Sequence, residues 1–178
     1  MLDNIKKNIK YSLKITLSWL FVIVWASIIF YLSSRTAPQS TVQSQGVISI
    51  FARIFGKIIE DENLMTWIDG IVRESAHGVE YFILGLLVFN ALYLCLNYRK
   101  QEELLLTAET GIECTDKYRM FNCIICAILI CTLYSLSDEI HQIPVPGRTF
   151  QLMDLGIDLI GTTLGVIAIA LIYKLKKK

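Results

Sequence analysis

Residues 120–173 read MFNCIICAILICTLYSLSDEIHQIPVPGRTFQLMDLGIDLIGTTLGVIAIALIY. Two runs here, Met120–Ser137 and Leu159–Tyr173, carry no charged residue, and the short gap between them holds Asp138, Glu139, His141, Arg148, Asp154 and Asp158. Pro144 and Pro146 cannot continue a helix, and Gly147 permits the tight geometry that turns the chain and aims Arg148 back at the bundle. Ionisable groups set against hydrocarbon are costly unless paired or solvated, so their presence marks a polar site at a membrane boundary.

Working outward, Ile15–Leu32 and Tyr81–Tyr98 are also free of charge. A helix needs about 20 mainly apolar residues to cross the hydrocarbon core, and the last run reaches that length if it starts near Asp154. Hydrophobic residues make up 54% of the 178-residue chain and are gathered into these runs instead of being spread at amphipathic spacing. The expected fold is an all-α integral membrane protein. It is a bundle of transmembrane helices near 12–33, 74–97, 119–142 and 152–174, forming one domain over 1–178.

Lysine and arginine orient the bundle. Lys6, Lys7, Lys10, Lys14, Arg99, Lys100, Lys117, Arg119, Lys174, Lys176, Lys177 and Lys178 fall on one side, and Arg35, Arg53, Lys57, Arg73 and Arg148 on the other. The richer side is the cytoplasmic one, so both termini are expected there, with the polar site facing outward from a multi-pass protein of the cell membrane. The Ile15–Leu32 run exceeds the roughly 7 to 15 apolar residues of a signal peptide, so it reads as a retained span. None of the five cysteines falls in an outer segment, and Cys114 lies in the inner loop, which predicts free thiols. Cys123 and Cys126 form a C-x-x-C pair, but with no second pair of ligands they read as small buried hydrophobes.

The first outer loop begins SSRTAPQSTVQSQ, an irregular exit from the first helix. Val47, Ile50, Phe51, Ile54, Phe55 and Ile58 then recur at helical spacing, giving an outer amphipathic helix that either lies in the headgroup plane or packs on the bundle. At the start of the second span Arg73, His77, Glu80, Tyr81 and Leu84 form one stripe. Asp138, His141 and Gln142 share a face at the end of the third, with Glu139 about 100° away. Asp154, Asp158, Gly161 and Gly165 form a stripe on the fourth, whose G-x-x-x-G pair admits a neighbouring helix closely. Asp158 sits one turn deeper than Asp154 and needs Arg148, Arg73 or His77 as a partner. The net charge of +1, the absence of a phosphate-binding Gly-rich loop and the topological role of the lysines exclude a nucleic-acid binder.

The pattern R-x-x-x-H-x-x-E-Y from Arg73, followed by D-E-x-H-Q-x-x-x-P-G-R-x-x-x-x-x-D-x-x-x-D-x-x-G-x-x-x-G from Asp138, resembles the VanZ-like family, and the likeness runs from Tyr31 to the last glycine. Members are small membrane proteins, and the founding one is associated with resistance to teicoplanin. The chain carries Gly78 where the family usually has an aromatic residue, and Asp158 where it often has Asn, which changes the charge of the site.

Such a site serves one of three ends. It lowers susceptibility to a lipoglycopeptide antibiotic by engaging the antibiotic or the lipid surface that the antibiotic enters. Alternatively, it is an enzyme acting on a lipid-linked envelope precursor. Asp138 or Glu139 would then be the acid or base, helped by His141, and Arg73 and Arg148 would hold an anionic group. The candidate binding set is Arg73, His77, Glu80, Tyr81, Gln142, Arg148, Asp154 and Asp158. Or the charges form a buried network that only sets helix register. His77, His141, Asp138, Glu139 and Asp154 are suitable metal-ligand types, but no H-E-x-x-H or His-Cys spacing supports a metal, and no cofactor is expected. Membrane lipids are the expected partners in every case.

Overall fold

The computed structural model describes residues 2–55, 62–106 and 116–176. The described residues form helices α1 (Leu2–Ser33), α2 (Ala37–Phe55), α3 (Glu62–Leu106), α4 (Asp116–Gln142) and α5 (Leu152–Lys176). Four of them, α1, α3, α4 and α5, contain stretches long and apolar enough to cross a membrane: Asn8–Ser33, Leu64–Tyr98, Tyr118–Gln142 and Leu152–Lys176. The bundle is all-helical, as the charge-free runs require.

Cross-helix contacts give the directions. Trp19 of α1 meets Cys95 of α3, while Trp25 donates its indole N–H to the Glu80 carbonyl, so α1 and α3 are antiparallel. His77 faces Asp158 and Phe89 faces Tyr173, so α3 and α5 run in parallel. Ser33, His77, Asp138 and Asp158 thereby come to one end of the bundle.

α3 and α5 make the most extensive contact. A Cβ at Gly161 would collide with the Gly78 carbonyl, and one at Gly165 with the Phe82 carbonyl; one at Gly85 would stand 2.7 Å from the Thr162 carbonyl oxygen. Gly78 is therefore the floor on which Gly161 rests. Close backbone approach of this kind drives helix association in lipid, where burial of apolar side chains gives little advantage. Tyr81, Leu84, Val88, Phe89, Cys123, Ala127, Cys131 and Val166 complete the buried core. Leu20, Phe21, Leu133, Ile160 and Leu171 are exposed on the outer face, as surface turned to lipid requires.

At 45 residues α3 is about 68 Å long, roughly twice the hydrocarbon thickness, and it extends past the expected ends at both 74 and 97. The charge-free part starts at Tyr81, and Asp69 and Arg73 occupy the more polar turns before it, within the Leu64–Tyr98 stretch. α2 packs on this extension, with the Ser44 hydroxyl on the Asp69 carboxylate and Ile48 buried. The polar stretch APQSTVQSQ is helical instead of irregular. Its start signal is a capping box: the Thr36 N–H donates to Gln39 Oε1 at 3.2 Å, with Pro38 in the first turn, where its missing N–H costs nothing. Ile50 of the expected apolar stripe is exposed, and the side chains of Val47, Phe51, Ile54 and Phe55, with Ile58, lie outside the described residues. Cys95, Cys123, Cys126 and Cys131 are free thiols, with Cys123 buried and Cys126 exposed; Cys114 lies outside the described residues.

Candidate functional site

Ser135, Asp138 and Gln142 recur at intervals of three and four, so they project from one side of α4. Ser33 Oγ at the end of α1 donates to Asp138 Oδ2 at 2.8 Å, and Gln142 Nε2 donates to Ser33 Oγ at 2.8 Å. Ser135 Oγ donates to Asp158 Oδ2 at 2.6 Å, tying α4 to α5. Beyond the turn, the Gln151 N–H donates to Glu139 Oε2 at 3.0 Å. His77 Nδ1 lies 3.6 Å from Asp158 Oδ1, near enough for an ion pair when the ring is protonated and just beyond hydrogen-bond reach.

Each of the three carboxylates is thus held by one oxygen. Asp138, Glu139 and Asp158 are 3%, 1% and 1% exposed, yet Asp138 Oδ1, Glu139 Oε1 and Asp158 Oδ1 have no hydrogen-bond partner among the described residues. The Tyr81 hydroxyl, on a fully buried ring, is in the same condition. A buried polar atom without a partner costs about 1–3 kcal/mol, so the open oxygens of Asp138 and Glu139 are places in this layer where a further polar group would be stabilised.

Next to this layer is a cavity of about 220 Å³ between α2, α3 and the α4–α5 turn. Arg73, His77, Glu80 and Arg148 line it together with Ser33, Ser40 and Ser44. A second recess of about 130 Å³ shares Arg73, His77 and Arg148 and adds Glu74, Gln151 and Asp154. Arg148 is positioned by the turn, where Gly147 takes a φ of 79° and the Arg148 N–H bonds to the Val145 carbonyl; its Nε donates to the Arg35 carbonyl at 3.4 Å. Burial, and after it the neighbouring Arg73 charge, push the Arg148 guanidinium below its ordinary range, against the opposing pull of Asp154, Glu139 and Asp138.

The residues singled out from sequence therefore separate into two layers. Arg73, His77, Glu80 and Arg148 meet at the cavity, and Asp154 joins them at the second recess. Tyr81, Asp138, Glu139, Gln142 and Asp158 lie in the buried layer. The suggested acid and base group of Asp138, Glu139 and His141 points three ways: Asp138 to Ser33, Glu139 to Gln151, and His141 onto the Phe30 ring at 4.1 Å between centroids, with Ser34 Oγ 3.1 Å from its Nε2. The geometry also brings His77 within 3.6 Å of Asp158, an acid/base pair by residue type. Ser33, Ser135, Ser40 and Ser44 were not singled out. Ser135 was legible as the residue one turn before Asp138, whereas the α2 serines needed the tertiary position of their helix. Among the described residues no group of three or more His, Cys, Asp or Glu side chains is arranged to hold a metal ion.

No curated protein and no solved structure matches the chain. A family model does, described as VanZ/LLP1 and matching residues 18–174, a stretch that includes every residue of both layers. The chain therefore belongs to the VanZ/LLP1 family.

Proposed function

We propose that this membrane protein lowers susceptibility to teicoplanin-type lipoglycopeptides by engaging, or acting on, a lipid of the cell envelope through an outward-facing polar site. The observation that carries this is the convergence of Arg73, His77, Glu80 and Arg148 on a cavity beside buried carboxylates with unsatisfied oxygens. At about 220 Å³ the cavity is smaller than the roughly 300–1,000 Å³ of drug-sized pockets. A lipoglycopeptide is larger than such drugs, so the site suits the headgroup of an envelope lipid instead of the antibiotic itself. The His77–Asp158 pair at 3.6 Å favours an acid/base enzyme as the second reading, since such pairs tighten when substrate binds. The outward orientation follows from the excess of lysine and arginine on the opposite side. A cysteine introduced at residue 146 should react with an impermeant thiol reagent in intact cells while Cys114 stays protected.

The test of function compares wild type, Glu139→Gln and Arg148→Ala at matched membrane levels in a sensitive Gram-positive host. Wild type should reduce teicoplanin susceptibility, and both substitutions should return it to the empty-vector value. An unchanged susceptibility with wild type would discard the resistance role, and resistance that survives both substitutions would detach it from this site.

A further inference from the structure

Arg73 and Arg148 lie close enough to repel each other, and among the described residues neither has a carboxylate oxygen within 4 Å. Acidic partners are nearby in Glu80 and Asp154, so the arrangement leaves both guanidinium forks unclosed beside them. Both arginines line both recesses, which makes them the shared wall of a single cleft. Like charges side by side in a half-buried cleft repel, and an anion bound by both arginines would offset that repulsion in a cleft that Glu80 and Asp154 also line. The planar fork of Arg matches a tetrahedral oxyanion bidentately, and two forks lining one cleft satisfy more of its oxygens than one.

Depth narrows the anion. Arg148 lies outside the candidate membrane spans, and Arg73, within Leu64–Tyr98, is two turns before the charge-free part of α3 at Tyr81; charge patterning therefore points to headgroup depth for both. The anionic group present in quantity at that depth is phosphate. Ser40 and Ser44 of α2 also line the first recess, with the Ser44 hydroxyl bonded to the Asp69 carboxylate. His77, with Asp158 behind it, stands at the junction of the two recesses and is suited to give a proton to a phosphate oxygen or take one from it.

We propose that the cleft between α2, α3 and the α4–α5 turn takes a phosphate group, held between Arg73 and Arg148 with His77 beside it. This rests on the envelope-lipid reading above and assigns the chemical class of its headgroup. The phosphate is carried by a lipid or is free phosphate, and the chemistry of the cleft serves both.

The experiment is calorimetric titration of the protein in a maltoside detergent and phosphate-free buffer, with dihexanoyl phosphatidic acid, inorganic phosphate and dihexanoylglycerol as separate probes. Phosphatidic acid should bind, dihexanoylglycerol should not, and Arg73→Gln or Arg148→Gln should each weaken binding by about tenfold or more. Arg148→Lys should retain part of the affinity, because it keeps the charge and loses the fork. Tighter binding of phosphatidic acid than of inorganic phosphate identifies the lipid as the source, and equal affinities identify free phosphate. Equal binding of dihexanoylglycerol and phosphatidic acid by wild type would overturn the proposal without recourse to any variant, as would binding of neither phosphate probe. Phosphate binding that both Gln variants leave intact in folded protein would also overturn it. Loss of phosphate binding with teicoplanin susceptibility still dependent on Arg148 would remove only the headgroup assignment. Phosphate binding with no effect on susceptibility would remove the resistance role and keep the site.

Discussion

Far from the cleft, Asn90 of α3 donates its amide to Ser18 of α1 and accepts the Tyr173 hydroxyl of α5 at 2.5 Å. At the other end Asp138 and Glu139 each have one oxygen without a partner among the described residues, Asp158 turns its second oxygen to His77 at 3.6 Å, and Arg73 and Arg148 line one cavity. Both places join three helices through polar side chains within membrane spans, yet one closes its hydrogen bonds and the other does not. A network that serves only to hold helices together gains by being complete, because an open buried donor or acceptor costs more than a finished hydrogen bond returns. The Asn90 end has the form of a structural clasp, and the contrast is what supports the ligand site proposed for the carboxylate end.

Between the two ends lies the seam on which both depend. Gly165→Leu places a side chain where the Phe82 carbonyl now sits, and α3 and α5 must separate. It should destabilise the bundle by more than the 1–3 kcal/mol or so of ordinary overpacking. The readout is collapse of the melting temperature and of protease resistance in detergent. A folded Gly165→Leu protein with a normal melting curve would show that the seam is not what fixes either end.

The two ends are next set against each other. Asn90→Leu strands the Tyr173 hydroxyl and should cost about 1–2 kcal/mol in unfolding free energy while leaving teicoplanin susceptibility unchanged. Glu139→Gln keeps an oxygen for the Gln151 N–H, so it should change stability by less than about 1 kcal/mol while abolishing function. If the stability costs came out in the opposite order, the contrast between clasp and site would fail. The smallest effect is expected at the cap of α2. Gln39→Ala removes the acceptor for the Thr36 N–H and should cost about 0.5–1 kcal/mol, seen as faster hydrogen exchange of the first turn of α2 with little change in global melting.

The membrane spans were plain in the chain because their cause is local: a run without charge of about bilayer length has few other uses. The stripe from Arg73 to Glu80 was equally legible, since it depends only on helical periodicity. His141 shows where periodicity stops. Periodicity places it on a face with Asp138 and Gln142, but which neighbour that face meets depends on the position of Phe30 across the bundle. The capping box T-A-P-Q was visible in the sequence, but the serine and glutamine content of the segment drew the reading toward a loop.

By itself the sequence determined an all-helical membrane bundle, the end of it that collects ionisable groups, and the glycines that let two helices meet. These follow from hydrophobic length, period and the absence of a Cβ, all properties of one helix at a time. Only the tertiary structure decided that His77 pairs with Asp158, that Asp138 and Glu139 each keep an oxygen open among the described residues, and that Arg73 and Arg148 share one cleft with the serines of α2. Those facts depend on how four helices and a turn are rotated and staggered against one another, and that arrangement is set by the sum of many contacts between residues distant in sequence.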